Sequence, residues 1–440
     1  MESKDLKFEE VNEGFSIKEA VDEAKRCLNC KNPLCVQGCP IEHNIPGWIH
    51  QLSMGNMGGA MSIINEKSNL PAVCGRVCPH ERQCEGHCIL NKKQNPIRVG
   101  KLERFIADFD SDMKLIREKL PQKNRGKVAI IGSGPAGLTV AGDLARDGFN
   151  VVIYESEPEL GGVLMYGIPE YRLPKEVVRR EIRKIEGLGV TYIPNFIVGQ
   201  NTTVDEMFDQ KNFDAIFIGT GTAKPKTMNI PGCNLKGVIQ SSYFLRIVSL
   251  CNSDSIDKSE VPVKEGDVVG VVGCGNVAMD AARTALRMGA KEVYVIYYRD
   301  VENMTALKAE YNEAVEEGVQ FLWNTDTQEF LGERGRLKAI KAMTSEGEKI
   351  IPMDKILLAI GSQPANRIVS TTSGINVDER GYVITKDRPY GMTTRAGVFS
   401  SGDVVHGPAT VVLAMRESKK VAAGIAQYVD AKHLLAACEE

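Results

Sequence analysis

The stretch Lys127-Val128-Ala129-Ile130-Ile131-Gly132-Ser133-Gly134-Pro135-Ala136-Gly137 decides the fold. Its apolar opening predicts a buried strand that turns on glycines straight into a helix. Gly132, Gly134 and Gly137 have the G-x-G-x-x-G spacing of a dinucleotide site, with Ser133, Pro135 and Ala136 completing the turn. The first glycine permits the tight turn. The second lets backbone approach a pyrophosphate. The third lets helix pack on strand, with the helix N-terminus toward the phosphates. About twenty residues on, Val151-Val152-Ile153-Tyr154-Glu155 predicts the second strand, and Glu155 stands where an acid accepts ribose hydroxyls. Strand, turn, helix, strand and acid in one register are far more specific than the glycines alone.

A second unit repeats the pattern. Val268-Val269-Gly270-Val271-Val272 predicts a strand, and Gly273-Cys274-Gly275-Asn276-Val277-Ala278 matches G-x-G-x-x-A. A helix is expected over 276–288 and a strand over 292–298, ending at Arg299. No acid takes the ribose position; Asp300 follows one residue later. A basic residue there contacts a 2′-phosphate and favours NADP. The bland alternative is an arginine merely exposed at a strand end.

Other stretches supply ligand-facing loops. Leu160-Gly161-Gly162 opens a glycine-rich loop running to Pro169, suited to close approach of a flat ligand or to a plain turn. A helix is expected over 175–187. The apolar strands predicted over 213–222 and 353–361 end in small residues, Gly361 among them, as strands do at the crevice of a doubly wound sheet. Gly402-Asp403 follows a short strand, where the acid holds a flavin's ribityl chain or caps a helix. A closing helix is expected over 408–428.

Composition is that of an ordinary globular chain: 440 residues, 43% hydrophobic and 25% charged, enough for two or three domains. A formal net charge of −3 gives no case for nucleic acid or an anionic membrane. No apolar run is long enough to span a bilayer, and Met1-Glu2-Ser3-Lys4-Asp5 is no signal peptide, so a cytoplasmic protein is expected.

Eight of the twelve cysteines lie from Cys27 to Cys88, which in a reducing compartment indicates metal binding over disulfides. The first group is Cys27-x2-Cys30-x4-Cys35-x3-Cys39-Pro40, the second Cys74-x3-Cys78-x5-Cys84-x3-Cys88. In ferredoxin-type runs the fourth cysteine, before proline, serves a different cluster from the first three. The count suffices for two [4Fe–4S] centres. Zinc is the alternative, although zinc sites favour paired C-x2-C knuckles and only one pair occurs. His43, His50, His80 and His87 are expected near the cysteines but not as ligands. Ser16 and Glu19 form a capping box for a helix over 17–26. One or two short helices are expected over 45–64, a loop over 91–96, a helix over 100–118, and a linker over 121–126.

Two nested dinucleotide units behind such a region resemble the disulfide-reductase superfamily. The chain is identified as a member of the glutamate synthase small (β) subunit family. It is similar also to the large subunit of NADH-dependent ferredoxin:NADP oxidoreductase and to the N-terminal half of dihydropyrimidine dehydrogenase. The fold class is then α/β: two nested Rossmann-like domains, for FAD and NAD(P), preceded by an α-helical iron–sulfur domain. The expected division is 1–124 for the clusters, 125–230 and 362–440 for FAD, and 231–361 for the nicotinamide nucleotide. The resemblance implies crossed ligation, with Cys27, Cys30, Cys35 and Cys88 on one cluster and Cys39, Cys78 and Cys84 on the other. Glu103 or Cys74 completes the second. It places Glu155, Gly162, Arg172, Gly402, Asp403 and Thr410 around FAD, and Gly273, Gly275, Asn276, Ala278, Arg299 and Gly361 near NADPH or NADH.

One departure bears on the nucleotide. NADPH-selective relatives carry an Arg pair where this chain has Tyr298-Arg299, proline where Thr305 stands, and basic residues near Lys308 and Ala309. Neutral residues there remove charge-assisted bonds to a 2′-phosphate.

The resemblance implies an electron-transfer flavoprotein that needs no acid–base triad. No amidotransferase, FMN-barrel or pyrimidine-reducing domain is evident, so the acceptor is expected on a partner subunit: the glutamate synthase large subunit or an equivalent. A disulfide reductase would need a dithiol beside the flavin, yet Cys233, Cys251, Cys274 and Cys438 are widely spaced. A non-catalytic zinc scaffold would not keep both fingerprints and Glu155.

Overall fold

The computed structural model describes residues 6–92, 95–116, 120–365 and 367–439. Residues 1–5, 93 and 94 in the expected 91–96 loop, and 117 and 118 at the end of the expected 100–118 helix lie outside that set. The chain divides into two compact units.

The larger unit comprises Asn12–Met165, Arg172–Lys224 and the chain from Gln363 onward. Its front part is helical: Ile17–Lys25, Ile45–Ser53, Met57–Asn65, Pro71–Val77 and Val99–Met113. Ser16 and Glu19 cap the first helix reciprocally, as expected. Asn44 and Asn56 each accept a backbone N–H at the start of the next two. Each cap satisfies donors that a helix start otherwise leaves unpaired. The apolar faces meet around Trp48, Leu52, Met61, Ile64, Leu102 and Ile106, all fully buried. The last of these helices stops at Met113 because Lys114 turns left-handed, at φ 52°.

The rest of this unit is built on a seven-stranded sheet. Its order is Thr385–Asp387, Tyr390–Thr393, Val398–Ser400, Ala215–Ile218, Lys127–Ile131, Asn150–Tyr154 and Thr191–Ile193. Five strands are parallel, and the two at one edge are antiparallel. Val398–Ser400 pairs with Ala215–Ile218 although 180 residues separate Ile218 from Val398. That pairing is the nesting expected of two Rossmann-like domains. The closing helix runs Val411–Glu439, later and longer than the expected 408–428. Its extra turns are anchored by buried Val429, the Asp430–Arg125 ion pair, and the approach of His433 to Asp214.

The smaller unit comprises residues 6–11, Tyr166–Tyr171 and Pro225–Ser362. Its parallel sheet runs Val238–Gln240, Lys355–Leu358, Val268–Val272, Glu292–Ile296 and Gln320–Leu322. A three-stranded antiparallel sheet follows, Asp326–Glu333, Arg336–Thr344 and Gly347–Pro352. Tyr171 packs against two guanidiniums, with Arg287 3.7 Å and Arg283 4.7 Å from its ring centre. Arg283 is only 1% exposed and donates to Glu313 and Glu317. A charge so buried is tolerated because its fork is filled by carboxylates.

Candidate functional site

Gly132 ends its strand at φ 99°, and a Cβ there would stand 2.7 Å from the Gly219 carbonyl oxygen. Gly137 is tighter: a Cβ would fall 2.0 Å from the Gly132 carbonyl oxygen. Gly134 is the opposite case, its Cβ position clear of protein atoms to 4 Å. A turn closed on two sides and clear on the third is what a pyrophosphate needs at a helix N-terminus. Pro135, Ala136 and Gly137 open the helix Pro135–Arg146.

Glu155 is 5% exposed. One carboxylate oxygen accepts from Ser133 N at 2.9 Å and Ser133 Oγ at 2.6 Å; the other accepts from Ser156 Oγ and Glu157 N. Ser133 Oγ in turn accepts from Gly161 N at 2.9 Å. The acid expected for a ribose thus also braces the phosphate turn and ties it to the 160–162 loop. The sequence signal for this was a serine inside the fingerprint, capable of donating and accepting at once. Gly162, at φ 53°, has its Cβ position 3.0 Å from Gly134 Cα, so only glycine lets the two loops meet.

Gly402, at φ 76°, opens a short helix whose first residue is Asp403. Burial pushes the Asp403 carboxyl up to about 6, opposed by an N–H from Ala409. Thr410 precedes Val411–Glu439, and its hydroxyl accepts from Leu413 N at 3.4 Å. Arg172 is half-buried.

In the smaller unit Gly273, at φ 119°, plays the part of Gly132, its Cβ position 2.5 Å from the Ala359 carbonyl oxygen. The Cys274 carbonyl accepts from Thr305 N and Oγ1 and from Ala306 N. Asn276 Oδ1 accepts from Leu307 N at 2.8 Å, and Ala278 is fully buried. Gly361 turns at φ 94°. The strand stops at Ile296, two residues short of expectation, leaving Tyr298, Arg299 and Asp300 exposed. Asp300 caps the turn Val301–Asn303 through Asn303 N.

Cysteines from both groups are brought together. Cys27, Cys30, Cys35 and Cys88 line one cavity of about 220 Å³ with Pro33, Ile45, Ile49 and Val99. Leu28, Leu34 and Ile89 also line it and stay exposed. Cys39, Cys78, Cys84 and Glu103 form a second set, close enough that Glu103 acts electrostatically on all three thiols. Glu103 is 6% exposed; burial first, then Glu181, pushes its carboxyl up to about 8. Its Oε1 is enclosed without a hydrogen-bond partner and lies 3.7 Å from His43 Nδ1. His43 is itself 2% exposed. An orphaned carboxylate oxygen beside thiols has the donor chemistry a metal group would need.

Burial lifts Cys35 and Cys39 to about 11 and Cys84 well above its ordinary value. Thiolates in such surroundings require a strongly cationic group to hold them deprotonated. The cavity thiols ring a space, and among the described residues no three Cys, His, Asp or Glu side chains converge closely enough for a single ion. A mononuclear tetrahedral zinc site demands that convergence. The donors fit a polynuclear iron–sulfur group.

Residues 126–418 match the pyridine nucleotide-disulphide oxidoreductase family model. Residues 4–115 match the model for dihydropyrimidine dehydrogenase domain II, 4Fe-4S cluster. The glutamate synthase [NADPH] small chain of Halomonas elongata is 35% identical over 96% of this chain and 93% of that protein. This chain belongs to the glutamate synthase small-chain family. Members of wider kinship include the NAD-dependent dihydropyrimidine dehydrogenase subunit PreT of Escherichia coli, 31% identical over 96% of this chain and 97% of its own length. Lactococcus lactis thioredoxin reductase shares the α/β fold, with a TM-score of 0.54 at 22% identity over 69% of this chain and 99% of that one. As a member of its family the chain is a flavin- and iron–sulfur-dependent NAD(P)H oxidoreductase. Among the described residues no helix is long and apolar enough to cross a membrane.

Proposed function

We propose that this chain is the electron-input subunit of a glutamate synthase or equivalent complex, holding FAD and two [4Fe–4S] clusters and serving a partner subunit that carries the acceptor site. The observation that supports the reading is that cysteines from both groups come together, with Cys27, Cys30, Cys35 and Cys88 around one cavity. When bound, the flavin would supply hydride acceptance and single-electron release, and the clusters would supply one-electron acceptance.

The protein's own residues bind and position. Gly132, Gly134 and Gly137 shape the flavin pyrophosphate turn, braced by Ser133 and Glu155; the ribose would share or replace the Ser133 hydroxyl on Glu155. Gly162, Arg172, Asp403 and Thr410 complete that pocket. Gly273, Gly275, Asn276, Ala278 and Gly361 shape the nicotinamide nucleotide turn. Cys27, Cys30, Cys35 and Cys88 hold one cluster, and Cys39, Cys78, Cys84 and Glu103 the other. Replacing one thiolate by the Glu103 carboxylate separates the two potentials. A cytoplasmic setting keeps such thiols reduced before loading.

Exposed Arg299 supports NADPH through its fixed charge. The neutral Tyr298 and Ala309 support NADH and favour a second reading, a subunit of an NAD-dependent dihydropyrimidine dehydrogenase.

Cys30→Ser tests the partition. It should remove one cluster by iron and acid-labile sulfide analysis, while flavin bleaching by NAD(P)H persists. Two intact clusters would refute the assignment. A partner retained through purification of the native complex, with glutamine and 2-oxoglutarate then turned to glutamate, would identify the acceptor.

A further inference from the structure

Cys274 lies inside the second glycine turn, and its carbonyl oxygen takes three donors: Ala306 N at 3.0 Å, Thr305 N at 3.2 Å and Thr305 Oγ1 at 3.1 Å. A carbonyl oxygen has two lone pairs, and the two backbone N–H groups are enough to fill them. The Thr305 hydroxyl is therefore a surplus donor. Its proton can leave the Cys274 carbonyl without stranding it.

The place of that hydroxyl gives the surplus a use. The second glycine of a dinucleotide turn lets backbone approach the pyrophosphate, so the room left by its missing side chain borders the phosphates. At Gly134 no protein atom lies within 4 Å of that room. At Gly275, chain neighbours aside, one described atom does: Thr305 Oγ1, 3.4 Å from the Cβ position. Thr305 is itself exposed, so a ligand reaches it from solvent. The backbone around it is fixed whatever the hydroxyl does. Thr305 N and Ala306 N are tied to Cys274, and Leu307 N donates at 2.8 Å to Asn276 Oδ1, on the first residue of the helix Asn276–Arg287.

We propose that Thr305 is a binding residue for the nicotinamide nucleotide: when the nucleotide enters, the Thr305 hydroxyl turns from the Cys274 carbonyl and donates to a pyrophosphate oxygen. This rests on the reading of Gly273 to Ala278 as the nicotinamide nucleotide turn. A hydrogen bond to an anionic phosphate is charge-assisted and stronger than the bond to a neutral carbonyl that it replaces. NADPH and NADH share the pyrophosphate, so Thr305 adds affinity for both and selects neither. Arg299 has the complementary task, since its charge addresses the 2′-phosphate that only NADPH carries.

The test is calorimetric titration of the holoprotein with NADP+ and with NAD+, paired with thermal melting of the nucleotide-free samples. Thr305→Val keeps the shape and removes the donor. It should weaken both nucleotides by the same factor, roughly tenfold, and melt with the parent because Cys274 keeps its two N–H partners. Thr305→Ser, which keeps the hydroxyl, should bind within about twofold of the parent. Thr305→Ala guards against crowding by the valine methyl groups and should show the same tenfold loss. Parental affinity in Thr305→Ala overturns the proposal, whatever valine does. A loss confined to NADP+ makes Thr305 a contact of the 2′-phosphate and overturns it too. Gly275→Val fills the room itself and should abolish binding of both nucleotides. If that variant binds them as the parent does, the reading of the turn falls instead.

Discussion

The two glycine turns solve one steric problem and differ in what holds them. Gly132 and Gly273 both turn at positive φ against a carbonyl of a neighbouring strand end, at 2.7 and 2.5 Å from a Cβ position. Beyond that they part. The first turn is braced by a buried acid from the next strand, Glu155 on Ser133. The second is braced from a loop, through Thr305, Ala306 and Leu307. The loop brace frees the next strand's end, so Tyr298, Arg299 and Asp300 face solvent. The first turn is thus closed around its acid, and the second leaves Tyr298, Arg299 and Asp300 open. The helices differ as well: Gly137 has no room for a methyl group, while Ala278 carries one fully buried.

The largest effect should come from Gly134→Val. At φ −67° this residue is unstrained, and its Cβ position is clear of protein. The flavin-free variant should therefore melt like the flavin-free parent yet purify colourless in the flavin bands; a yellow holoprotein would break the comparison. Gly137→Ala should cost about 3 kcal/mol in urea unfolding, from overlap with the Gly132 carbonyl. Its mirror, Ala278→Gly, should cost only about 1 kcal/mol through helix propensity. Equal losses would mean the two helices pack alike.

A pH effect separates the pockets next. Folding lifts the Asp403 carboxyl from 3.8 to about 6, so its ionisation opposes folding. The penalty is small below pH 4, grows as pH rises from 4 to 6, and is complete above 6. In flavin-free protein Asp403→Asn should gain up to about 3 kcal/mol at pH 7.5 and little at pH 4, read from paired denaturant curves. A larger gain at pH 4 would reverse the sign. Arg299→Ala should raise the Michaelis constant roughly tenfold for NADPH, about 1.4 kcal/mol, and leave NADH unchanged. Equal changes would remove Arg299 from 2′-phosphate recognition.

Elements with a strong local pattern were legible. The Ser16–Glu19 box, the strand Lys127–Ile131 and both glycine turns follow from residues adjacent in sequence. The antiparallel sheet Asp326–Glu333, Arg336–Thr344 and Gly347–Pro352 was not foreseen, although Arg334-Gly335 and Ser345-Glu346 make its turns and Leu337, Ala339 and Ile340 are buried. The helix Ser241–Asn252 was missed because it lacks a side-chain cap. Spacing alone left the division of the cysteines between sites open; the resemblance supplied it. Glu103, fifteen residues past Cys88, reaches its set only because the helix Val99–Met113 turns that face inward. The burial of His43 and the second duty of Glu155 depend on contacts far apart in sequence, which no local pattern encodes.

The apolar rim of the first thiol cavity has a practical consequence. Leu28, Leu34 and Ile89 are 60%, 41% and 50% exposed, so the ring of Cys27, Cys30, Cys35 and Cys88 opens outward, while Cys84 and Glu103 of the inner set are 7% and 6% exposed. Oxidative attack follows access to thiolate. On the proposed two-cluster reading, protein left in air should fade in two stages, the outer iron lost before the inner.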